Sequence, residues 1–365
     1  RDGFRRFAGE RIAPHAGRWD REEAVPREIV EELAARGWLG APLPVAAGGG
    51  GMDPVVYGLL TEEIGRACSS TRSLLTVHDM VTLALARWGS AAARAEHLAA
   101  LGRGERIAAL ALSEPEVGSD AAAVTTAARR DGEDWVLDGE KRWITFGQIA
   151  DLFLVFAAAP AGPTAFLVPA GAPGLSRRPI RGVVGTRASL LAELTFDGCR
   201  VPDRHRVGRE GMGVSHVAAT ALDHGRYSVA WGSVGIAQAC LDASLEHTER
   251  RVQFGRPLRE HQLVQRMLTR MSVDVRAARL LCCRAGHLRR SGDPGAAAET
   301  LAAKYFASRA ATAAAADAVQ LHGARGMVDE APVARFLRDA RVMEVIEGST
   351  QILEGLIPRF PAPEL

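Results

Sequence analysis

Lysine is almost missing from this chain: of 45 basic residues only Lys141 and Lys304 are lysines. Arginine fills nearly every other basic position and alanine is used heavily, a bias expected of GC-rich coding. A single arginine is therefore weak evidence for a phosphate site. Charge of one sign is lacking too, and a formal net charge of +2 gives no general attraction to nucleic acid or a membrane surface. The five cysteines are odd in number and include no CxxC pair. That argues against a disulfide framework and a zinc site, so no metal is expected, and it fits a reducing cytoplasm. No charged-then-apolar leader opens the chain and no apolar run reaches the ~18 residues of a membrane span, so a soluble cytoplasmic protein is expected. The glycine run in "AAGGGGMDP" is followed by no GK[ST], which leaves it a loop and not a phosphate cradle.

What is present falls into three textures, and 365 residues hold two or three ordinary domains. Residues 1–105 are helical in pattern: "REIVEELAARGWLG" sets Ile29, Val30, Leu33 and Ala34 at helical spacing, with Gly37 as a stop. Residues 106–213 carry strand-length apolar runs, "DLFLVFAAA", "TAFLVPA" and "LAELTF". Asp131-Gly132, Asp138-Gly139, Pro173-Gly174 and Asp197-Gly198 read as the turns between them, and a compact antiparallel β domain is expected. Residues 214–365 return to helix. Leu263, Val264, Met267, Leu268, Met271 and Val275 share one broad face, Asp293-Pro294 reads as an N-cap and N1 pair, and long helices with short connections imply a bundle.

Within that frame Glu347 stands out in "RVMEVIEGSTQIL", between Ile346 and Gly348 in an apolar stretch. A surface glutamate is the ordinary explanation. The sharper one is a poorly solvated carboxylate whose pKa rises toward working pH, as a general base requires. Ser113, Gly118 and Ser119 lie where a strand gives way to a loop, a combination suited to phosphate oxygens or to an ordinary polar turn. Trp143 and Thr145 alternate with Ile144, which would put an aromatic plane and a hydroxyl on one face, unless Trp143 is core. Arg251, Phe254 and Gln262 surround a Gly-Arg-Pro turn, and Gln320 to Gly326 form a glycine-punctuated turn.

Each of these has a structural explanation; their order carries more. The blocks "SEPEVGSD", "GEKRWIT", "QFGRPL", "QLHGARG" and "RDARVMEVIEGST" together resemble the acyl-CoA dehydrogenase family over nearly the whole chain. The resemblance implies a mainly α protein with a central β domain: an N-terminal helical domain, a β-barrel domain and a C-terminal four-helix bundle. It implies FAD, held by Leu112, Ser113, Gly118, Ser119, Trp143 and Thr145. Arg251, Phe254 and Gln262 would contact FAD from the bundle, Gln320 to Gly323 would do so from a neighbouring subunit, and Ser349 and Gln351 would also touch it. It makes Glu347 the catalytic base and Gly348 a neighbour of the acyl thioester. Ser119, with Asp223 and Arg226 of a pantetheine-contacting turn "DHGR", would bind substrate. Implied partners are an acyl-CoA or acyl carrier protein substrate, an electron-transfer flavoprotein or other acceptor, and further copies in a homodimer or homotetramer.

Residues 177–209 hold eight arginines against three acids, Glu193, Asp197 and Asp203. Such a patch would meet coenzyme A phosphates or an acidic carrier protein, unless it is only a solvated basic face. With the short chain and coding bias it also resembles the carrier-protein dehydrogenases that help to make hydroxymalonyl or methoxymalonyl extender units for polyketides. Competing readings are an acyl-CoA oxidase or flavin monooxygenase on the same scaffold, and a flavin-binding protein that has lost catalysis.

Overall fold

The computed structural model describes residues 1–360. Its N-terminal part is six helices: α1 (Asp2–Phe7), α2 (Ala13–Glu22), α3 (Arg27–Ala35), α4 (Pro54–Ala67), α5 (Ser69–Trp88) and α6 (Ala91–Gly102). In α3, Ile29, Val30 and Leu33 are buried and Gly37 follows in the left-handed region at φ 67°, as the spacing predicts. Asp53 starts α4 by accepting from Val55 N and Val56 N, with Pro54 at the first helical position. Helix α5 is unusual because residues 69–82 are all buried although many are polar. Its Ser73, Thr76 and Thr82 hydroxyls donate back to carbonyls of their own helix, which makes that burial tolerable.

The middle part is a sheet of β1 (Ala108–Ala111), β2 (Ala127–Asp131), β3 (Asp134–Ile144), β4 (Leu152–Ala159), β5 (Gly162–Pro169), β6 (Leu175–Pro179), β7 (Ala192–Pro202) and β8 (Arg206–Val207). The pairing path runs β6-β7-β3-β2-β4-β5-β8, with β1 beside β4. The expected all-antiparallel arrangement needs correction, since β1 and β2 both pair with β4 in parallel. Two of the four expected turns need it as well. Asp131-Gly132 does open the tight β2–β3 hairpin and Gly174 lies between β5 and β6, but Asp138-Gly139 and Asp197-Gly198 face each other inside β3 and β7, where the register shifts. Gly198 at φ 59° supplies the conformation of a bulge there, which uses the same residue chemistry as a turn.

The C-terminal part is α7 (Ala219–Arg250), a short hairpin of β9 (Val252–Gln253) and β10 (Arg256–Pro257), α8 (Gln262–Ser291), α9 (Ala296–His322), α10 (Pro332–Val345) and α11 (Thr350–Leu356). Helix α7 is the hub, packing on α4, α5, α8, α9 and α10. Helix α9 starts later than Asp293-Pro294 suggests: the Asp293 carboxylate accepts from Gly295 N and Ala296 is the first helical residue. On α8, Met271 and Val275 are buried, but Leu263 stays largely exposed. No helix among the described residues is long and apolar enough to cross a membrane.

The contact of α4 with α7 depends on glycine. A Cβ at Gly58 would lie 2.2 Å from the buried indole of Trp231, and one at Gly65 would sit 3.0 Å from Gly232 Cα. Gly58→Ala is therefore expected to lose about 1–3 kcal/mol by overpacking, although alanine favours helix by ~1 kcal/mol. The denaturant midpoint at constant m-value measures this. An unchanged or higher midpoint would show that Trp231 yields freely.

Candidate active site

The turn joining α10 to α11 carries Glu347 and Gly348, both at positive φ, 57° and 94°. Glycine takes that conformation freely, whereas glutamate must be held there. Two cations hold it: the partly buried Arg226 Nε on α7 donates to Glu347 O at 3.0 Å, and the buried Lys304 Nζ on α9 donates to Gly348 O at 2.6 Å. Ser349 then caps α11 by accepting from Ile352 N. With its carbonyls fixed, Glu347 turns its carboxylate onto α7. A Cβ at Gly225 would lie 2.5 Å from Glu347 Oε2 and 2.9 Å from Met80 Sδ, so the carboxylate occupies the space that glycine leaves.

Glu347 Oε2 is sealed from water and has no hydrogen-bond partner. Burial pushes this carboxyl up to about 7, against the opposing pull of Arg226, Lys304 and Arg72. Burial likewise pushes Lys304 down to about 8. Such a carboxylate is poised to take a proton near neutrality. Sequence reasoning found Glu347, Gly348 and Arg226 but missed Lys304, Met80 and Arg72. The scarcity of lysine was the available signal for Lys304. Asp223 and Arg226 are not in a turn as expected: both lie within α7, where Asp223 pairs with Arg289 at 2.8 Å.

A second group lies on the β domain. Leu112 O accepts from the buried Lys141 Nζ, and Ser113 O accepts from Arg142 N. Gly118 has open space around it and Ser119 is exposed beside it. Trp143 sits at φ 65° where the β3–β7 register shifts, half-exposed and beneath the Arg142 guanidinium. Its positive φ breaks the expected strand alternation with Thr145, which falls in the turn after β3. Trp143 is thus neither core nor regular strand, and about half of it stays exposed.

A third group lies at the far end of the bundle. Phe254 is 95% exposed at the tip of the β9–β10 hairpin, flanked by exposed Arg251 and Gln262. Gln320 and Gly323 close α9 nearby, because His247 near the end of α7 stacks on His322 at 4.2 Å. This end is remote from Glu347: Arg251 follows Arg226 by about 37 Å along α7. Gln351 is exposed on α11.

The basic patch is weaker than its sequence suggests. Arg178 pairs with Glu193, Arg181 and Arg187 with Glu23, Arg200 with Asp131 and Asp134, Arg204 with Glu96, and Arg206 with Asp203. Most of those acids come from outside residues 177–209. Among the described residues one group, Glu96, His97 and His205, places possible metal-ligating atoms within 4.8 Å of one another. These already bond among themselves, His205 Nε2 to Glu96 Oε2 at 3.0 Å and to His97 Nε2 at 3.4 Å.

An all-α domain, a β domain and a helical bundle make up the chain, and the Glu347 carboxylate lies where the first and last meet. Sequence profiles of the acyl-CoA dehydrogenase N-terminal, middle and C-terminal domains match residues 1–105, 109–199 and 211–360. The mouse mitochondrial short-chain specific acyl-CoA dehydrogenase is 38% identical over 96% of this chain and 86% of its own. Glutaryl-CoA dehydrogenase from Mycobacterium smegmatis superposes with a TM-score of 0.94 at 33% identity, covering 98% of this chain and 92% of that one. FkbI, of methoxymalonyl extender-unit biosynthesis, gives 0.89 at 34% identity over 98% and 97%. The chain belongs to the acyl-CoA dehydrogenase family and is a FAD-dependent oxidoreductase acting on an acyl thioester. Its residues suit FAD: open Trp143 and Phe254 faces for flat rings, and an uncrowded Gly118–Ser119 loop for phosphate.

Proposed function

We propose that Glu347 is the base that removes the proton α to the thioester carbonyl. The observation that carries this is its sealed, unpartnered Oε2, lodged over Gly225. Bound FAD supplies the acceptor for the β-hydride. Arg226 and Lys304 hold the Glu347–Gly348 carbonyls, which fixes the carboxylate's direction and leaves the turn's N–H groups for the thioester oxygen. Leu112, Ser113, Gly118, Ser119, Trp143 and Thr145 hold the flavin from the β domain.

Anaerobic flavin bleaching by an acyl thioester tests this through its pH profile. Below about 7 Glu347 is protonated in the free enzyme and cannot accept, so the rate at low substrate should rise with pH through about 7 and then level off. A rate that ignores pH across that interval would remove Glu347 from the role.

Arg251, Phe254, Gln262 and Gln320 to Gly323 lie too far along the bundle to serve the flavin beside their own Glu347. We place them on the flavin of a second copy, which makes the functional unit a homodimer or a dimer of dimers. Sedimentation of the FAD-loaded protein at micromolar concentration should give that species; a FAD-replete monomer contradicts it. Likeness to FkbI supports a narrower reading, an acyl carrier protein thioester of polyketide extender-unit synthesis, in the cytoplasm and with an electron-transfer flavoprotein or similar acceptor. The paired arginines of residues 177–209 give that carrier no support. Competition between matched CoA and carrier-bound esters decides it.

A further inference from the structure

Helix α6 meets the β domain through a cluster that is used neither around Glu347 nor by the residues proposed for FAD. Glu96 and His97 lie on α6, and His205 closes the short helical turn Asp203–His205 between β7 and β8. Both histidines are buried, while the Glu96 side chain is 44% exposed. Two hydrogen bonds fix these elements against each other. Ser90, which caps α6, donates its hydroxyl to Arg204 O at 2.6 Å, and Gly208 N donates to Trp88 O at 2.8 Å. The side chains between them therefore meet in a prearranged geometry.

That geometry is a triangle. His97 Nε2 and His205 Nε2 stand 3.4 Å apart, His205 Nε2 is 3.0 Å from Glu96 Oε2, and His97 Nε2 is 3.5 Å from Glu96 Oε1. No placement of protons satisfies all three sides. The carboxylate only accepts, so both rings must donate to it, and neither then has a lone pair for the other. A second proton on either ring does not help, because each Nδ1 is buried without a partner. Burial accordingly pushes His97 below its ordinary value. A divalent cation at the centre uses the whole triangle, since each ring nitrogen and the carboxylate then offer it a lone pair. The sides also have a suitable length: ligands ~2.0–2.1 Å from a tetrahedral zinc ion lie roughly 3.3–3.4 Å from one another.

We infer that Glu96, His97 and His205 form a divalent metal site, best suited to zinc, and that the bound ion pins α6 to the β domain. Two imidazoles and one carboxylate are a zinc ligand set, and the half-exposed Glu96 side leaves a fourth position to water. The lack of a CxxC pair bears only on thiolate sites, and this one needs no cysteine. Two cations oppose it. Arg204 Nε lies 3.7 Å from Glu96 Oε2 and must give way, and the charge of Arg106 acts on His97. Affinity should therefore be micromolar, far weaker than that of a zinc finger.

Calorimetric titration of the FAD-loaded protein, first dialysed against a chelator, tests it with Zn²⁺ and with Mg²⁺. The wild type should take up one Zn²⁺ per chain with a micromolar Kd and should ignore Mg²⁺, which prefers oxygen ligands and its own waters. Zinc should also raise the melting temperature, because the site exists only in the folded chain. His205→Gln should weaken zinc binding at least ~100-fold and abolish the melting shift. Glu96→Gln alters a half-exposed side chain, so it covers the case in which the buried histidine variant fails to fold, and it should weaken binding in the same direction. Zinc uptake that survives in either folded variant would put the ion elsewhere and overturn the site. No uptake by the wild type at micromolar Zn²⁺ would overturn it too, leaving a hydrogen-bonded cluster only.

Discussion

Glu347→Gln is expected to slow flavin reduction by an acyl thioester at least ~100-fold, the usual scale for losing a general base, while the protein stays folded and yellow. Glutamine has nearly the same shape, and Arg226 and Lys304 bond the backbone carbonyls of the turn, not the side chain. A second signature separates this from a folding defect. The folded carboxyl is raised from an ordinary 4.5 to about 7, so ionising it opposes folding. The wild type loses stability as pH climbs through that interval and glutamine does not. At pH above 7 the variant should therefore melt no lower than the wild type. Full single-turnover activity would show that the proton leaves by another route, and a lower alkaline melting point would show that the carboxylate is stabilising after all.

Lys141→Met should be the most destabilising single change on the β domain, at about 3–5 kcal/mol. Lys141 Nζ and Glu114 Oε1 lie 2.6 Å apart, both buried. Glu114 also accepts from Thr125 N, Thr125 Oγ1 and Thr126 N. Burial works against the Glu114 charge, but the bonds from Lys141, Thr125 and Thr126 outweigh it and hold the carboxyl down at about 2. Without the ammonium that carboxylate is stranded in the interior. Adding Glu114→Leu should recover part of the loss, since no charge then remains unpaired. FAD affinity should fall with stability if the proposed flavin site is right, because Lys141 also fixes Leu112 O at the start of the loop proposed to hold it. A loss below about 1 kcal/mol by denaturant titration would contradict the pairing.

Much of this was legible before any coordinates, for identifiable reasons. Apolar spacing placed α3 because one face of that helix packs on the core, and Gly37 ended it because only glycine takes the left-handed conformation cheaply. Asp-Gly pairs marked places where the β chain needs positive φ. They did not separate hairpin from bulge, because both need it, and the difference lies in which strand passes alongside. The parallel pairing of β1 with β4 joins segments too distant in sequence for local pattern to register. At the site, Glu347 was visible from its apolar surroundings, but the reason it is sealed, an absent side chain at Gly225, belongs to another helix. Nothing in the sequence singles out Arg72, because its burial comes from α7 and α10 closing over α5. The strength of the arginine patch was hidden for the opposite reason. Apart from Glu193 and Asp203, its pairing acids come from the end of α2, from α6 and from the β2–β3 hairpin, outside residues 177–209.

The chain's only two lysines are both fully buried, and burial pushes both ammonium groups down to about 8. The molecule consequently carries a built-in tamper seal. Amine-directed acylating reagents find no lysine on the native surface, whereas they would modify the surface of a protein with ordinary lysine content almost at once. Modification at Lys304 reports opening of the turn that carries Glu347, and modification at Lys141 reports opening of the loop that starts at Leu112. Peptide mass spectrometry after a timed pulse therefore reads the local opening of two separate parts of the molecule, with no engineered label.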